Sequence, residues 1–138
     1  MRTRFLSLLF IIAAYSTSIF AEADLNVFNN SAYRICIAIA QATPLRTIGW
    51  YAVERGKNQS LTHVKYVHIR SCDVNGGVRE FSRSDWNLSY FCVDPINAFN
   101  WGNPESDSIC NRIGGSMASF YQLPEGRRFY NWFLNNWD

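Results

Sequence analysis

From residue 24 onward, apolar and polar side chains alternate with a period of two, which is the pattern of strands. Leu25-Asn26-Val27-Phe28 alternates and runs into Asn29-Asn30-Ser31, a cluster of turn formers. Tyr33 to Ala40 places Tyr33, Ile35, Ile37 and Ile39 on one face and Arg34, Cys36, Ala38 and Ala40 on the other. Beyond Arg34 both faces are small or apolar, as in a strand covered on both sides. Gln41 to Leu45 contains Pro44 and predicts a turn. Thr47 to Val53 predicts a strand that closes at Glu54-Arg55-Gly56-Lys57. Leu61 to Arg70, rich in Val, Tyr and Ile and free of Gly and Pro, predicts one further strand. Asn75-Gly76-Gly77 marks a turn, and Trp86 to Val93 alternates again.

Asp94 to Gly115 is broken by Pro95, Gly102, Pro104, Gly114 and Gly115. Ser106 to Arg112 has room for one helical turn, with Asp107 near its start. Ala118 to Leu123 and Phe129 to Leu134 fit a closing hairpin around Pro124-Glu125-Gly126. Phe129, Phe133 and Trp137 also recur at helical spacing, but strand is the reading adopted. Short strands with regular turns predict an all-β domain, a small antiparallel sandwich or partly closed barrel.

The first 23 residues follow a different pattern. Arg2 and Arg4 precede an apolar run from Phe5 to Phe20, and Ala21-Glu22-Ala23 supplies small residues. This is the layout of a secretory signal helix over 1–23, followed by one domain over 24–138. Phe5 to Ala21 is short for a membrane span and is interrupted by Tyr15, Ser16, Thr17 and Ser18. Losing the leader lowers Lys+Arg from 13 to 11, Asp+Glu from 11 to 10 and net charge from +2 to +1. A charge so near zero argues against nucleic-acid binding. The expected setting is secreted or periplasmic, in a bacterium, with no membrane span once the leader is gone.

Cysteine usage agrees with export. Cys36, Cys72, Cys92 and Cys110 form an even set in a small domain, open to three connectivities. Zinc binding needs close ligand pairs, whereas the spacings here are 36, 20 and 18 residues, so no metal or cofactor is expected. The favoured pairs are Cys92–Cys110, closing a loop rich in turn formers, and Cys36–Cys72.

Three segments, taken in order, carry a family resemblance. They are Leu25 to Ala40, then Ile48-Gly49-Trp50-Tyr51-Ala52-Val53-Glu54-Arg55-Gly56, then Tyr90-Phe91-Cys92-Val93-Asp94 with Cys110-Asn111-Arg112-Ile113-Gly114. The series resembles small exported bacterial proteins catalogued as a domain of unknown function (DUF family number 1036), over about Leu25 to Tyr121. Phe28 and Asn58 stand where that family has two cysteines. Cys92 and Cys110 stand at its second pair, so the resemblance implies that bond. Cys36 and Cys72 match no family position, which leaves two buried thiols as the alternative to a bond. The resemblance implies an exported β-rich module and no activity.

Candidate chemistry is sparse. His63 and His68, five residues apart on one strand, would face opposite sides and could not share a metal. A hydrolase would need one of them beside a carboxylate such as Asp94, yet no nucleophile-elbow motif accompanies them. Glu105 and Asp107 lack the spacing of a calcium loop. Aromatics are abundant: ten Phe, seven Tyr and five Trp, of which 18 follow the leader. Such rings can stack on sugars or anchor a protein partner. Trp101, between Asn100 and Gly102, is the ring expected to be most exposed, with Trp50 and Tyr51 beside it in the proposed contact. The expectation is a non-enzymatic binding or accessory domain for a protein or glycan of the cell envelope or the extracellular space. The alternative is a small envelope hydrolase using His63 or His68.

Overall fold

The computed structural model describes residues 22–73 and 79–135. The expected leader up to residue 21, the turn at 75–77 and Trp137 lie outside the described residues. The order is β1 (Ala23–Asn29), β2 (Ile35–Ala42), β3 (Leu45–Val53), β4 (Asn58–Val64), β5 (Tyr66–Ser71), β6 (Leu88–Val93), β7 (Phe99–Gly102), α1 (Asp107–Arg112), β8 (Ser116–Gln122) and β9 (Phe129–Leu134). Ala23 is already a buried β1 residue, although the expected leader boundary falls after it. Among the described residues no helix is long and apolar enough to cross a membrane.

The strands form two sheets, β4-β1-β9 and a six-stranded sheet ordered β6-β8-β5-β2-β3-β7. The all-β expectation holds, and the larger sheet curls into an open half-barrel. Alternation in β2 explains why that sheet has two cores. Ile35, Ile37 and Ile39 join Val67 and Ile69 of β5 and Tyr121 of β8, facing Leu25, Val27, Leu61, Trp132 and Leu134 of the small sheet. Ala38 and Ala40 point the other way, into the hollow of the curl, with Phe91, Val93, Phe99, Ala118 and Phe120. Small residues on β2 let the hollow close over large rings from its neighbours. Thr47 Oγ1 ties β3 to β6 by donating to the Cys92 carbonyl at 2.8 Å, and Cys92 N–H donates to Pro104 O at 2.7 Å.

Both favoured disulfides are present, Cys36–Cys72 (S–S 2.15 Å) and Cys92–Cys110 (S–S 2.04 Å). The second ties β6 to α1. The helix is capped by Ser106, whose Oγ accepts from Ile109 N–H at 3.3 Å, while Asp107 occupies the first turn.

Three expectations differ from the structure. Leu61 to Arg70 belongs to two strands in different sheets: β4 ends at Val64 and β5 begins at Tyr66, with Lys65 between them, and His63, one residue before the end of β4, has a left-handed φ of 55°. There β4 carries an extra residue against β1, since Ala23 pairs with Val64 but Leu25 with Leu61. β8 and β9 form no hairpin; after Pro124-Glu125-Gly126 the chain crosses to the other sheet, where β9 lies parallel to β1. β7, a four-residue strand inside the segment expected to be irregular, pairs with β3.

Candidate functional site

Of the three rings expected to make contact, Trp50 and Tyr51 are neighbours in β3 and so face opposite ways. Tyr51 packs half-buried against the core between the sheets, whereas Trp50 and Trp101 pack half-buried against the core of the hollow. Trp50 Nε1–H donates to Asp94 O at 2.9 Å, and the Arg70 guanidinium lies 3.9 Å from its ring centroid. Trp101 lies against Phe99, centroids 5.2 Å apart. It also closes over Gly115, where a Cβ would come within 2.9 Å of its ring. Tyr51 is thus on the opposite side of the sheet from Trp50 and Trp101, which share the side of the hollow.

The histidines part company. His63 is exposed, with Nδ1 3.6 Å from the Glu22 carboxylate. His68 is only 2 % exposed. The reason is a fork in the large sheet. β5 pairs with β8 only at Tyr66 and Val67, after which residues 79–81 run beside β5: Ser71 N–H donates to Arg79 O at 2.8 Å and Phe81 N–H to Ile69 O at 2.9 Å. At the fork His68 Nδ1–H replaces a ladder bond, donating to Ser119 O at 2.7 Å. Its ring sits between Trp50 and Phe120, at 5.8 and 5.6 Å. Nε2 has no hydrogen-bond partner among the described residues, and the nearest carboxylate oxygen, Glu80 Oε1, is 3.9 Å away. Burial, set against the Ser119 bond and Glu80, holds the ring below its ordinary pKa. Asp94 is occupied elsewhere, its Oδ1 accepting from Ile96 and Asn97 N–H at 2.9 and 2.8 Å. A buried imidazole with no approach for substrate is a structural group, and among the described residues no set of three His, Cys, Asp or Glu could hold a metal.

Among the described residues the most exposed aromatic rings lie elsewhere: Phe129 (67 %) and Phe133 (55 %) on β9, and Tyr90 (60 %) on β6. The β9 pair belongs to the outer face of the small sheet. Alternation there is strict, with Tyr130, Trp132 and Leu134 buried and Phe129, Asn131 and Phe133 outside. Register builds rows across the face: Phe129 beside Asp24; Asn131, Asn26 and Ser60; Phe133, Phe28 and Asn58. Phe133 stacks on Phe28 with centroids 4.6 Å apart and planes 10° from parallel. Asn26 Oδ1 accepts from Asn58 Nδ2 at 3.1 Å and from Ser60 Oγ at 3.4 Å, which holds the middle of the face in place.

A second depression, of about 450 Å³, borders β9 and is lined by Arg83, Trp86, Arg127 and Phe129 among others. Arg83 stacks 3.8 Å from the Trp86 centroid and chelates Asp85 at 2.7 and 2.9 Å, holding that carboxyl below its usual range. Sequence reasoning recognised β9 as a strand but not Phe129 and Phe133 as its outer ridge; the signal was the alternation of β9, once the neighbouring strand was known. The chain matches no family model, no curated protein and no solved structure in the comparisons made.

Proposed function

We propose that the chain is an exported, non-enzymatic binding domain that engages a protein or glycan of the cell envelope through exposed aromatic rings. Two disulfides suit an oxidising compartment, in keeping with export. The observation that carries the reading is the outer face of the small sheet, where Phe129, Phe133 and Phe28 stand among amides on a rigid support. Rings held in that way contribute contact area at little entropic cost. The hydrolase reading through His68 is disfavoured because that ring is sealed and Asp94 is engaged in a turn.

Sedimentation with a washed envelope fraction tests the reading. The wild-type chain is expected in the pellet and the Phe129→Ala/Phe133→Ala variant in the supernatant, with both chains shown by circular dichroism to be folded at the assay temperature. Equal pelleting of the two would remove this face from consideration.

A further inference from the structure

From the chemistry of the same face, and resting on the reading above, we infer that its ligand is an uncharged polysaccharide. Asp24 is the only ionised side chain within the rows set by the β1 register, and no Lys or Arg stands among them. A phosphate- or carboxylate-bearing ligand would find no complementary charge within these rows; Arg83 and Arg127 stand off their end, in the depression that Phe129 also borders. The order of groups argues against a protein partner. Protein interfaces place apolar anchors at the centre and polar groups at the rim. Here the centre is polar, formed by Asn131, Asn26 and Ser60, and the rings stand at the two ends.

That order suits a chain of sugars. Each pyranose has an apolar C–H face, which stacks on a ring, and a hydroxyl periphery, which needs amide and hydroxyl partners. Stacking on Phe28 covers one face of Phe133, and the exposure of the ring leaves its other face open. Phe129 and Phe133, four residues apart on one strand, are separated by roughly 13 Å along β9. One sugar covers one phenyl ring, so occupying both requires an oligomer. Between them the row of Asn131, Asn26 and Ser60 supplies donors and acceptors to the intervening units, and an open groove of about 210 Å³ at the Phe129 end is lined by Asp24, Asn26, Ser60, Thr62, Phe129 and Asn131, among others. The saccharide therefore runs along β9, stacked at both ends and hydrogen-bonded in the middle.

Affinity electrophoresis of the full chain, in gels cast with soluble starch, mixed-linkage β-glucan or galactomannan, tests the assignment, with alginate as the anionic control. Retardation is expected in at least one neutral gel and not in alginate. Phe129→Ala and Phe133→Ala should each weaken it roughly tenfold, as expected for loss of one aromatic stack. Asn131→Ala should weaken it several-fold, with thermal midpoints held. Absence of retardation in all three neutral gels would overturn the assignment, as would retardation that survives the double Phe variant or is equalled by alginate. A dimer dissolved by the Phe variants would also overturn it, because the face would then be occupied by a second copy. The envelope sedimentation separates the two levels. If it depends on the Phe pair while every neutral gel is silent, only the saccharide fails; if it ignores the Phe pair, the binding face fails as well.

Discussion

His68 occupies the place where a backbone ladder ends, and its titration follows from that. The folded chain holds the ring neutral, because burial outweighs the pull of Glu80 and the Ser119 bond, and nearby Arg70 acts in the same direction as burial. The unfolded ring takes a proton near its ordinary value of 6.5. Above that value neither state binds the proton and His68 costs nothing. As pH falls below it, only the unfolded state gains the proton, so stability drops by at most about 1.4 kcal/mol per pH unit until the lowered folded pKa is reached. Urea midpoints from pH 7.5 to 5 should fall for the wild type, and fall less for His68→Phe, which keeps a ring between Trp50 and Phe120 but cannot titrate. Parallel curves would remove His68 as the cause. The sequence placed both histidines on one strand because no Gly or Pro marks the break at Lys65. The burial of His68 depends on residues 79–81 arriving at the fork, which no local pattern announces. Asn29 is a similar case. It reads as a turn former, yet it is fully buried and bonds Tyr33 O at 2.7 Å, Val53 O at 3.0 Å and Ser31 Oγ at 2.6 Å, tying three segments together.

At the scale of elements, α1 has six residues and cannot persist alone; it is held by its Ser106 cap and by Cys92–Cys110. The bond spans 18 residues and contributes about 3 kcal/mol in the chain-entropy account. Gly115 lets the next strand pass beneath it. A Cβ there would lie 2.4 Å from Cys92 Sγ and 3.0 Å from Cys110 Sγ. Gly115→Ala should therefore destabilise the domain by about 1–3 kcal/mol, as overpacking does. Trimming both cysteines to Ala removes those sulfurs, so Gly115→Ala should cost less in that background; chemical denaturation of the four chains measures the coupling. An equal cost in both backgrounds would rule out the sulfur contact as its source. This pairing was legible because Pro and Gly crowd the enclosed loop. β7 was not legible, because Phe99-Asn100-Trp101-Gly102 is too short and too rich in Asn and Gly to stand out, and its partner β3 is about 50 residues earlier.

Across the whole molecule, the three-stranded sheet is closed by the first and last described strands, β1 and β9, so it can form only after most of the chain has been placed. Such distant pairing favours slow folding. Neighbours in sequence usually pair, which is why a β8–β9 hairpin was the natural expectation. It fails because the inner ridge of β9, Tyr130-x-Trp132-x-Leu134, must bury against the core between the sheets. Trp132 packs on Trp86 and Tyr121, centroids at 5.3 and 6.5 Å, with the Arg83 guanidinium 5.1 Å from its own centroid. Two consecutive β9 residues therefore separate stability from binding. Trp132→Ala empties a core site and should destabilise by about 3–5 kcal/mol. Phe133→Ala loses an exposed ring stacked on Phe28 and should cost no more than about 1.5 kcal/mol. Thermal and urea unfolding of the two variants would reveal the contrast. Comparable losses would mean that the outer ridge is structural, and weaker binding by Phe133 variants could then be ascribed to unfolding. A large difference leaves the outer ridge free for a ligand, because the small sheet already has its support from the inner one.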